Sequence, residues 1–380
     1  MSASVQDKSI GVGVIGTGFM GKAHSIAYSA SASVFGTGLR PQLEIVCDLS
    51  PERASQRATD LGFSRYSDNW RDVVEDERVE LVSICTPNDT HAEIAIAALK
   101  AGKHVWCEKP MSTTLADSTA MAAAAAASAG QTIIGYNYTK NPAVTHARRL
   151  IEQGAIGRVS GFFCRYDVDN EADGSRPWSW RMSREQSGTG ANGDVLSHVI
   201  SVAHFLTGST ISRVAGDYAI VHEQRADAEN DGQTKAVDND DMVSALVHFE
   251  NGVKGHIGAS RVTWGRKCGL RWEIHGTEGT ILYDQERLNE LKLFTRQDDP
   301  ATDGFRTILT GPLHEPYAAF LPNGGHSLGY MDVKICELHE LLGAIEQGTA
   351  VWPSFADGLV IEKVMDAVDR SAQSGAWAEV

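Results

Sequence analysis

The stretch Ile10-Gly11-Val12-Gly13-Val14-Ile15-Gly16-Thr17-Gly18-Phe19-Met20-Gly21 decides the fold. A short apolar run of strand character meets glycines at GxGxxG spacing, and Met20 to Ala30 continues as a helix of small, closely packing residues. Strand, glycine turn and helix, in that order, are what a dinucleotide-binding unit requires. The glycines permit a tight turn and close backbone approach, and the helix N-terminus directs unpaired N–H groups at a pyrophosphate. With 37 glycines in 380 residues the spacing alone would recur by chance, so its place between strand and helix carries the inference. Gly16, Gly18, Phe19, Met20 and Gly21 are therefore expected to line a cofactor.

Working outward, strands are expected at 10–15, 43–47, 80–85, 103–107 and 132–136, alternating with helices at 19–30, 51–61, 89–101 and 113–129. This alternation predicts an α/β fold, a doubly wound Rossmann-type parallel sheet covered on both faces. Such sheets bind ligands outside the carboxyl ends of their strands. Asp48, the run Cys85-Thr86-Pro87-Asn88 and the run Glu108-Lys109-Pro110 all fall at such ends. Asp48 is placed to accept the adenosine ribose hydroxyls and to repel a 2′-phosphate, which favours NAD over NADP. A Ser/Gly-rich stretch, Ser29 to Pro41, separates it from the glycine turn. The competing reading makes Asp48 a cap for the helix starting at Pro51, and Arg53, one helical turn onward, is a candidate to reach a phosphate.

After Asn137 the pattern changes. A helix at 141–153 precedes strands at 158–168, 211–222, 242–250, 253–263, 270–276 and 279–283, joined by turns such as Glu250-Asn251-Gly252. Short links predict antiparallel pairing. One helix interrupts them at 194–207 and two close the chain at 330–347 and 355–374. The polar stretch Glu223 to Asp240 reads as a solvent loop or lid. Two domains are expected, 1–137 for the cofactor and 138–380 for substrate binding and oligomerisation, the second an α+β unit with a large, mainly antiparallel open sheet.

A net charge of −15 without a basic run argues against nucleic acid as a partner. No stretch reaches the length of a membrane-spanning helix, and Met1 to Lys8 lacks the apolar core of a signal peptide, so no membrane partner and a cytoplasmic location are expected. Six cysteines without paired spacing suggest neither disulfides nor a zinc knuckle, and no metal is implied.

Oxidising a secondary alcohol requires a hydride acceptor, a base for the hydroxyl proton and a positive group near the developing alkoxide. His198 is the best base, since an imidazole titrates near neutral pH. Asp194, four residues earlier, shares its helical face and can orient the imidazole or hold a substrate hydroxyl. The bland alternative is a buried histidine bonded to its own helix partner. Against it stands the run Gly188-Thr189-Gly190-Ala191-Asn192-Gly193, which brings the helix start close to another backbone or a ligand. Lys109 follows an apolar strand and precedes a proline, so its ammonium emerges at the ligand edge and can stabilise alkoxide character. Glu108 is a natural pair for it or for another nearby basic group.

With these motifs in hand, the chain resembles the glucose–fructose oxidoreductase / inositol dehydrogenase (Gfo/Idh/MocA) family along nearly its whole length. The resemblance rests on Gly16 to Gly21 with Ala23-His24, Thr86-Pro87-Asn88 with His91, Glu108-Lys109-Pro110, and Asp194 with His198. It implies that Lys109, Asp194 and His198 form the catalytic group and that the open sheet of the second domain serves oligomer contacts, as a homodimer or homotetramer. The runs Gly16 to His24 and Gly325 to Tyr330 look most similar to members that oxidise a ring hydroxyl of cyclic polyols or sugars, at C3 in sugars. Thr86, Pro87, Asn88, His91, Glu108, Lys109 and Asn137 join the expected cofactor residues.

Further residues suit a carbohydrate. Trp178, Trp180 and Arg181 lie in a turn-rich segment, where indole faces fit the C–H side of a sugar and arginine donates to hydroxyls. Core or interface tryptophans are the even alternative. Tyr136 follows the last strand of the first domain, and His326 sits in a glycine-rich loop as a pocket residue or a structural one. His24 is expected to pack beside the first helix. The leading expectation is an NAD-dependent dehydrogenase acting on a small carbohydrate or polyol. The alternatives are an NAD-dependent glycosidase that oxidises its substrate transiently and a non-catalytic sugar or NAD sensor.

Overall fold

The computed structural model describes residues 8–36, 38–228, 230, 232–296 and 300–380. They form two compact units: up to Lys140 together with Gly329–Leu359, and Asn141–Leu328 together with Val360–Val380.

The first unit carries strands β1 (Lys8–Ile15), β2 (Leu39–Cys47), β3 (Arg65–Ser67), β4 (Leu81–Ile84), β5 (His104–Cys107) and β6 (Thr132–Ile134). They form one sheet in the order β3-β2-β1-β4-β5-β6, and every pair is parallel. The linking helices are α1 (Phe19–Phe35), α2 (Pro51–Leu61), α3 (Trp70–Val74), α4 (His91–Lys100) and α5 (Leu115–Ala126). This is the expected doubly wound sheet. Its central strands are apolar on both faces, with Val12, Val14, Leu81, Val82, Ile84, Val105 and Trp106 fully buried. Local chemistry fixes the boundaries. Ser50 accepts the Arg53 N–H at the start of α2, Pro51 is its first residue, and Gly62 closes it at φ +82.

Two expectations shift here. The Ser/Gly-rich stretch after Ala30 continues α1 to Phe35, because Ser31 is buried there and Gly36 supplies the left-handed stop. The chain also returns to this unit late. The helix Tyr330–Gln347, expected with the second domain, belongs to the first unit with its flanking turn, so the units part at Lys140 and again around 328 and 359. Buried ion pairs made by that helix account for its place.

The second unit contains α6 (Pro142–Glu152), β7 (Val159–Asp167), α7 (Arg184–Ser187), α8 (Ser197–Thr207), β8 (Ile211–Ala219), β9 (Gln224–Ala226), β10 (Thr234–Ala236), β11 (Met242–Phe249), β12 (Lys254–Ser260), β13 (Gly269–Gly276), β14 (Gly279–Asp284), β15 (Glu290–Thr295), β16 (Arg306–Leu309), α9 (Tyr317–Phe320) and β17 (Ala378–Glu379). α10 (Tyr330–Gln347) lies in the first unit, and the unit division falls within α11 (Phe355–Ser374). Nine strands form one open sheet in the order β16-β15-β14-β13-β7-β12-β11-β8-β17. All its pairs are antiparallel except β7 with β12. The stretch from Glu223 is not a featureless loop: β9 and β10 pair as a hairpin, and Asn239, Asp240 and Asp241 beyond them are buried.

No helix among the described residues is long and apolar enough to cross a membrane.

Candidate active site

The loops leaving the carboxyl edge of the parallel sheet are stitched to one another. Gly16 N–H donates to Cys47 O at 2.9 Å, Cys85 N–H to Ile15 O at 2.8 Å, and Glu108 N–H to Ile84 O at 3.0 Å. Within the glycine turn, Gly16 sits at φ +93, and a Cβ there would fall 2.4 Å from Cys85 O. A Cβ on Gly21 would fall 1.9 Å from Gly16 O, so this glycine lets α1 lie against the turn. Gly18 differs: a Cβ there would meet nothing within 4 Å. It opens α1 with neither a side-chain cap nor an acidic residue in the first turn, leaving N–H groups directed outward. That is a cradle suited to a pyrophosphate. Phe19 is exposed and packs near the Tyr330 ring, and Met20 Sδ accepts the Tyr330 hydroxyl at 3.4 Å.

Asp48 follows β2 and is buried. Thr17 donates to its Oδ2 through N–H and Oγ1, while Arg53 Nε (2.8 Å) and Ser50 N–H (3.3 Å) donate to Oδ1. Burial pushes this carboxyl up, but the bonds from Arg53 and Thr17 outweigh it and hold it below the usual range. Arg53 is thus folded onto Asp48.

Beyond β4, Thr86 Oγ1 accepts from Thr90 Oγ1 at 2.7 Å and Pro87 O accepts from Thr90 N–H at 3.1 Å, closing the turn that carries Asn88. His91 Nε2 faces Thr86 O and Nδ1 faces Pro110 O, each at 3.0 Å. The imidazole therefore ties this loop to the one following Lys109; burial lowers its pKa. Lys109 is half-buried at the end of β5. Tyr136 and Asn137 follow β6, both buried, and the Asn137 Nδ2 has no hydrogen-bond partner. A buried, unused amide donor, an open Gly18 and an ionised Asp48 at one sheet edge fit a bound NAD.

Glu108 turns inward. Its Oε1 receives Lys334 Nζ at 2.5 Å and His24 Nε2 at 2.9 Å. Lys334 also donates to Glu337 Oε2 at 2.7 Å, and Trp106 Nε1 donates to the same oxygen at 3.1 Å. His24 stacks on Trp106, ring centroids 3.5 Å apart, and its Nδ1 meets Ser83 Oγ at 3.0 Å. Burial depresses His24 to about 4 and raises Glu337 to about 7. Burial opposes the charged forms of Glu108 and Lys334 too, but their mutual attraction dominates, holding Glu108 well below and Lys334 well above their ordinary ranges. His24 is itself a residue of α1 and packs inward against Trp106, and Glu108 finds a basic partner in Lys334. Neither Lys334 nor Glu337 was singled out from the sequence. The available signal was a Lys/Glu pair three residues apart inside the otherwise apolar run Val333-Lys334-Ile335-Cys336-Glu337-Leu338.

In the second unit, Asp194 sits in a π-helical turn, Asn192–Leu196, and His198 in the first turn of α8. The expected single helix from 194 thus begins with a wider turn, a distortion common at functional sites. His198 is buried, with the Tyr166 ring 5.8 Å away edge-on. Gly190 explains the glycine-rich approach: a Cβ there would fall 1.8 Å from Asp240 O. The close neighbour is backbone. Asp240, Asn239 and Arg261, all buried and none flagged by the sequence, surround this start.

Trp178 Nε1 donates to Ala236 O at 3.0 Å, fixing the indole against β10. Arg181 is exposed and stacks over the Trp180 ring at 4.4 Å. His326 is exposed in its loop, its carbonyl accepting the Tyr317 hydroxyl.

Residues 10–136 match the oxidoreductase family with an NAD-binding Rossmann fold, and residues 144–282 match the GFO/IDH/MocA C-terminal domain. The chain is 39% identical to levoglucosan dehydrogenase of Pseudarthrobacter phenanthrenivorans over 98% of both chains. It is 26% identical to inositol 2-dehydrogenase of Rhizobium meliloti, covering 94% of this chain and 96% of that one. Among solved structures, levoglucosan dehydrogenase in complex with NADH and levoglucosan superposes with a TM-score of 0.95 at 39% identity, over 98% of this chain and 99% of the other.

Proposed function

We propose that this chain, which belongs to the GFO/IDH/MocA family and is an NAD-dependent oxidoreductase, oxidises a secondary ring hydroxyl of a pyranose, anhydrosugar or cyclic polyol to the ketone. Full-length similarity to levoglucosan dehydrogenase makes an anhydrosugar or pyranose the first candidate, with oxidation at C3. NAD supplies the hydride acceptor, held by the Gly16–Gly21 turn, Asp48 and Asn137. The chain's own residues do the rest. His198 takes the hydroxyl proton, a task suited to an imidazole near neutral pH. Asp194 orients His198 or an adjacent substrate hydroxyl. Lys109 stabilises the developing alkoxide with its ammonium. Trp180, Arg181, Trp178, Tyr136 and His326 are the proposed contacts to the carbohydrate.

The observation that carries this reading is a buried His198 set four residues after Asp194, across a π-helical turn whose start is fixed by buried side chains.

The test is NADH formation from NAD, and separately from NADP, over levoglucosan, free hexoses, glycosides and inositols. We expect NAD to be reduced by one stereochemical group of substrates, and His198→Ala to lose about 10²–10⁴-fold in kcat with NAD still bound. Lys109→Ala should lower turnover far more than NAD affinity. Silence across the panel with NAD tightly bound would overturn the dehydrogenase and favour the glycosidase or sensor.

A further inference from the structure

We infer that Asn239, Asp240 and Arg261 form a buried clamp that locks the 181–187 segment to the start of the helical turn bearing Asp194 and His198, with Asp240 as the positioning residue for that pair. The inference rests on the dehydrogenase reading above. Nothing in the family match assigns a role to these three side chains.

The first amides of a helix have no partner within it and must find one elsewhere. Here a carboxylate from a separate segment provides it. Asp240 Oδ1 accepts the Gly190 N–H at 2.8 Å and Oδ2 accepts the Asn192 N–H at 2.7 Å. Between them, Ala191 N–H donates to the Asp240 carbonyl at 2.8 Å. Three consecutive amides are thus held by one residue. Gly190 permits this approach, since any side chain would collide with that carbonyl. On its far side the turn is tied by Asn192 Nδ2 to Met365 O at 3.0 Å.

The same residues hold the neighbouring segment. Arg261 is fully buried; its Nη2 donates to Asp240 O at 3.0 Å and to Asn239 Oδ1 at 3.1 Å, and its Nη1 to Arg181 O at 3.3 Å. Asn239 Nδ2 donates to Arg181 O at 2.6 Å and to Ser187 Oγ at 2.8 Å. One guanidinium and one amide thereby join the carbonyl of Arg181, the hydroxyl of Ser187 and the backbone that anchors the Asp194 turn. Burial pushes the Asp240 carboxyl up, while Arg261 and the amide bonds draw it back.

Asp194 lies two residues beyond Asn192, and His198 six. Loss of the carboxylate anchor tilts both against the substrate, and a displacement of about 1 Å at a reacting group costs about a hundredfold in rate. The two arms of the clamp make different predictions. Asp240→Asn puts an amide donor opposite a backbone donor and should strike the acid–base pair. Asn239→Ala removes the shorter of the two bonds to the Arg181 carbonyl, leaving only that from Arg261, and should strike substrate binding.

The test uses the full chain with levoglucosan or whichever carbohydrate proves active, and reads kcat, KM, NAD affinity and amide hydrogen exchange. Asp240→Asn should lower kcat about tenfold to hundredfold with NAD affinity within about twofold, and should speed exchange over 190–196. Asn239→Ala should raise KM more than it lowers kcat and speed exchange over 181–187. Arg261→Lys should retain more of both than Arg261→Met, serving as the check should Asp240→Asn fold poorly. A general weakening of the fold would move kcat and KM together in every variant and would overturn the clamp. So would unchanged exchange over 190–196 in Asp240→Asn, or faster exchange with wild-type kcat. A wild-type protein that reduces no NAD with any substrate sinks the dehydrogenase reading instead, while exchange at the two segments still decides whether the clamp exists.

Discussion

Each unit buries a cluster of charged side chains beside its own candidate residues, and the two clusters are built on opposite plans. In the first unit, Glu108 and Glu337 share one ammonium, Lys334, with His24 and Trp106 completing the set: every partner is a side chain. In the second, Asp240 and Asp241 accept mainly from backbone. Gly190 and Asn192 donate to the former, and Val221 (2.8 Å) and His222 (3.2 Å) to the latter. A carboxylate held by amides fixes chain geometry and keeps most of its partners when one side chain is removed. A carboxylate held by an ammonium loses its one cation when that side chain is removed, and its charge depends on where the protons sit.

That difference predicts the largest effect for Lys334. Lys334→Met leaves Glu108 buried without its cation and should destabilise the first unit by about 3–5 kcal/mol in denaturant unfolding. Adding Glu108→Gln should restore part of it. A loss below about 1 kcal/mol would mean that water or another group compensates Glu108, and the contrast would fall. Arg261→Met is the matching change in the second unit. Asp240 and Asp241 keep their backbone donors there, so the expected loss is about 2–3 kcal/mol, from the carbonyls and the Asn239 amide oxygen left unpaired. Equal losses in the two variants would erase the distinction between side-chain and backbone pairing.

The contrast also explains what could be read from the sequence. Local chemistry was legible: the glycine turn and five of the six parallel strands follow from apolar runs and their punctuation, and α10 and α11 match the expected 330–347 and 355–374. Elements with little local signal were not. The strand β3 has three residues, β15 carries Glu290 and Lys292 among its six, and the hairpin β9–β10 hides in polar sequence. The residues of the site that lie at strand ends were legible because topology alone puts them there. Their partners were not, because Glu108 and Lys334 are 226 residues apart and Asp240 and Gly190 are 50 apart. Asn239 and Asp240 closed a polar stretch and read as solvent loop, yet both are buried and Asp240 serves the Gly190 and Asn192 amides. Only the glycine-rich run Gly188 to Gly193 hinted at a close approach, to another backbone or to a ligand.

The smallest predicted effect is also the most specific to the side-chain cluster. Glu337, raised to about 7 from an ordinary 4.5, stays protonated in the folded protein over a range where the unfolded chain has released its proton. Its contribution to stability is therefore full below about 4.5 and is lost as pH rises through 7. His24, lowered to about 4 from 6.5, acts the other way: its contribution is present above 6.5 and is lost as pH falls through 4. Between those limits the two slopes oppose each other, so the cluster as a whole changes stability little with pH. Glu337→Gln removes one of them. Relative to wild type, its stability should rise with pH between about 4.5 and 7, by at most about 1.4 kcal/mol per pH unit, as read from denaturation midpoints at matched ionic strength. Parallel curves for the two proteins would show that Glu337 is ionised throughout and that Lys334 carries two carboxylates at once. The cluster would then hold its charge as rigidly as the amide-bound carboxylates of the second unit, and the two plans would differ in their partners but not in their response to protons.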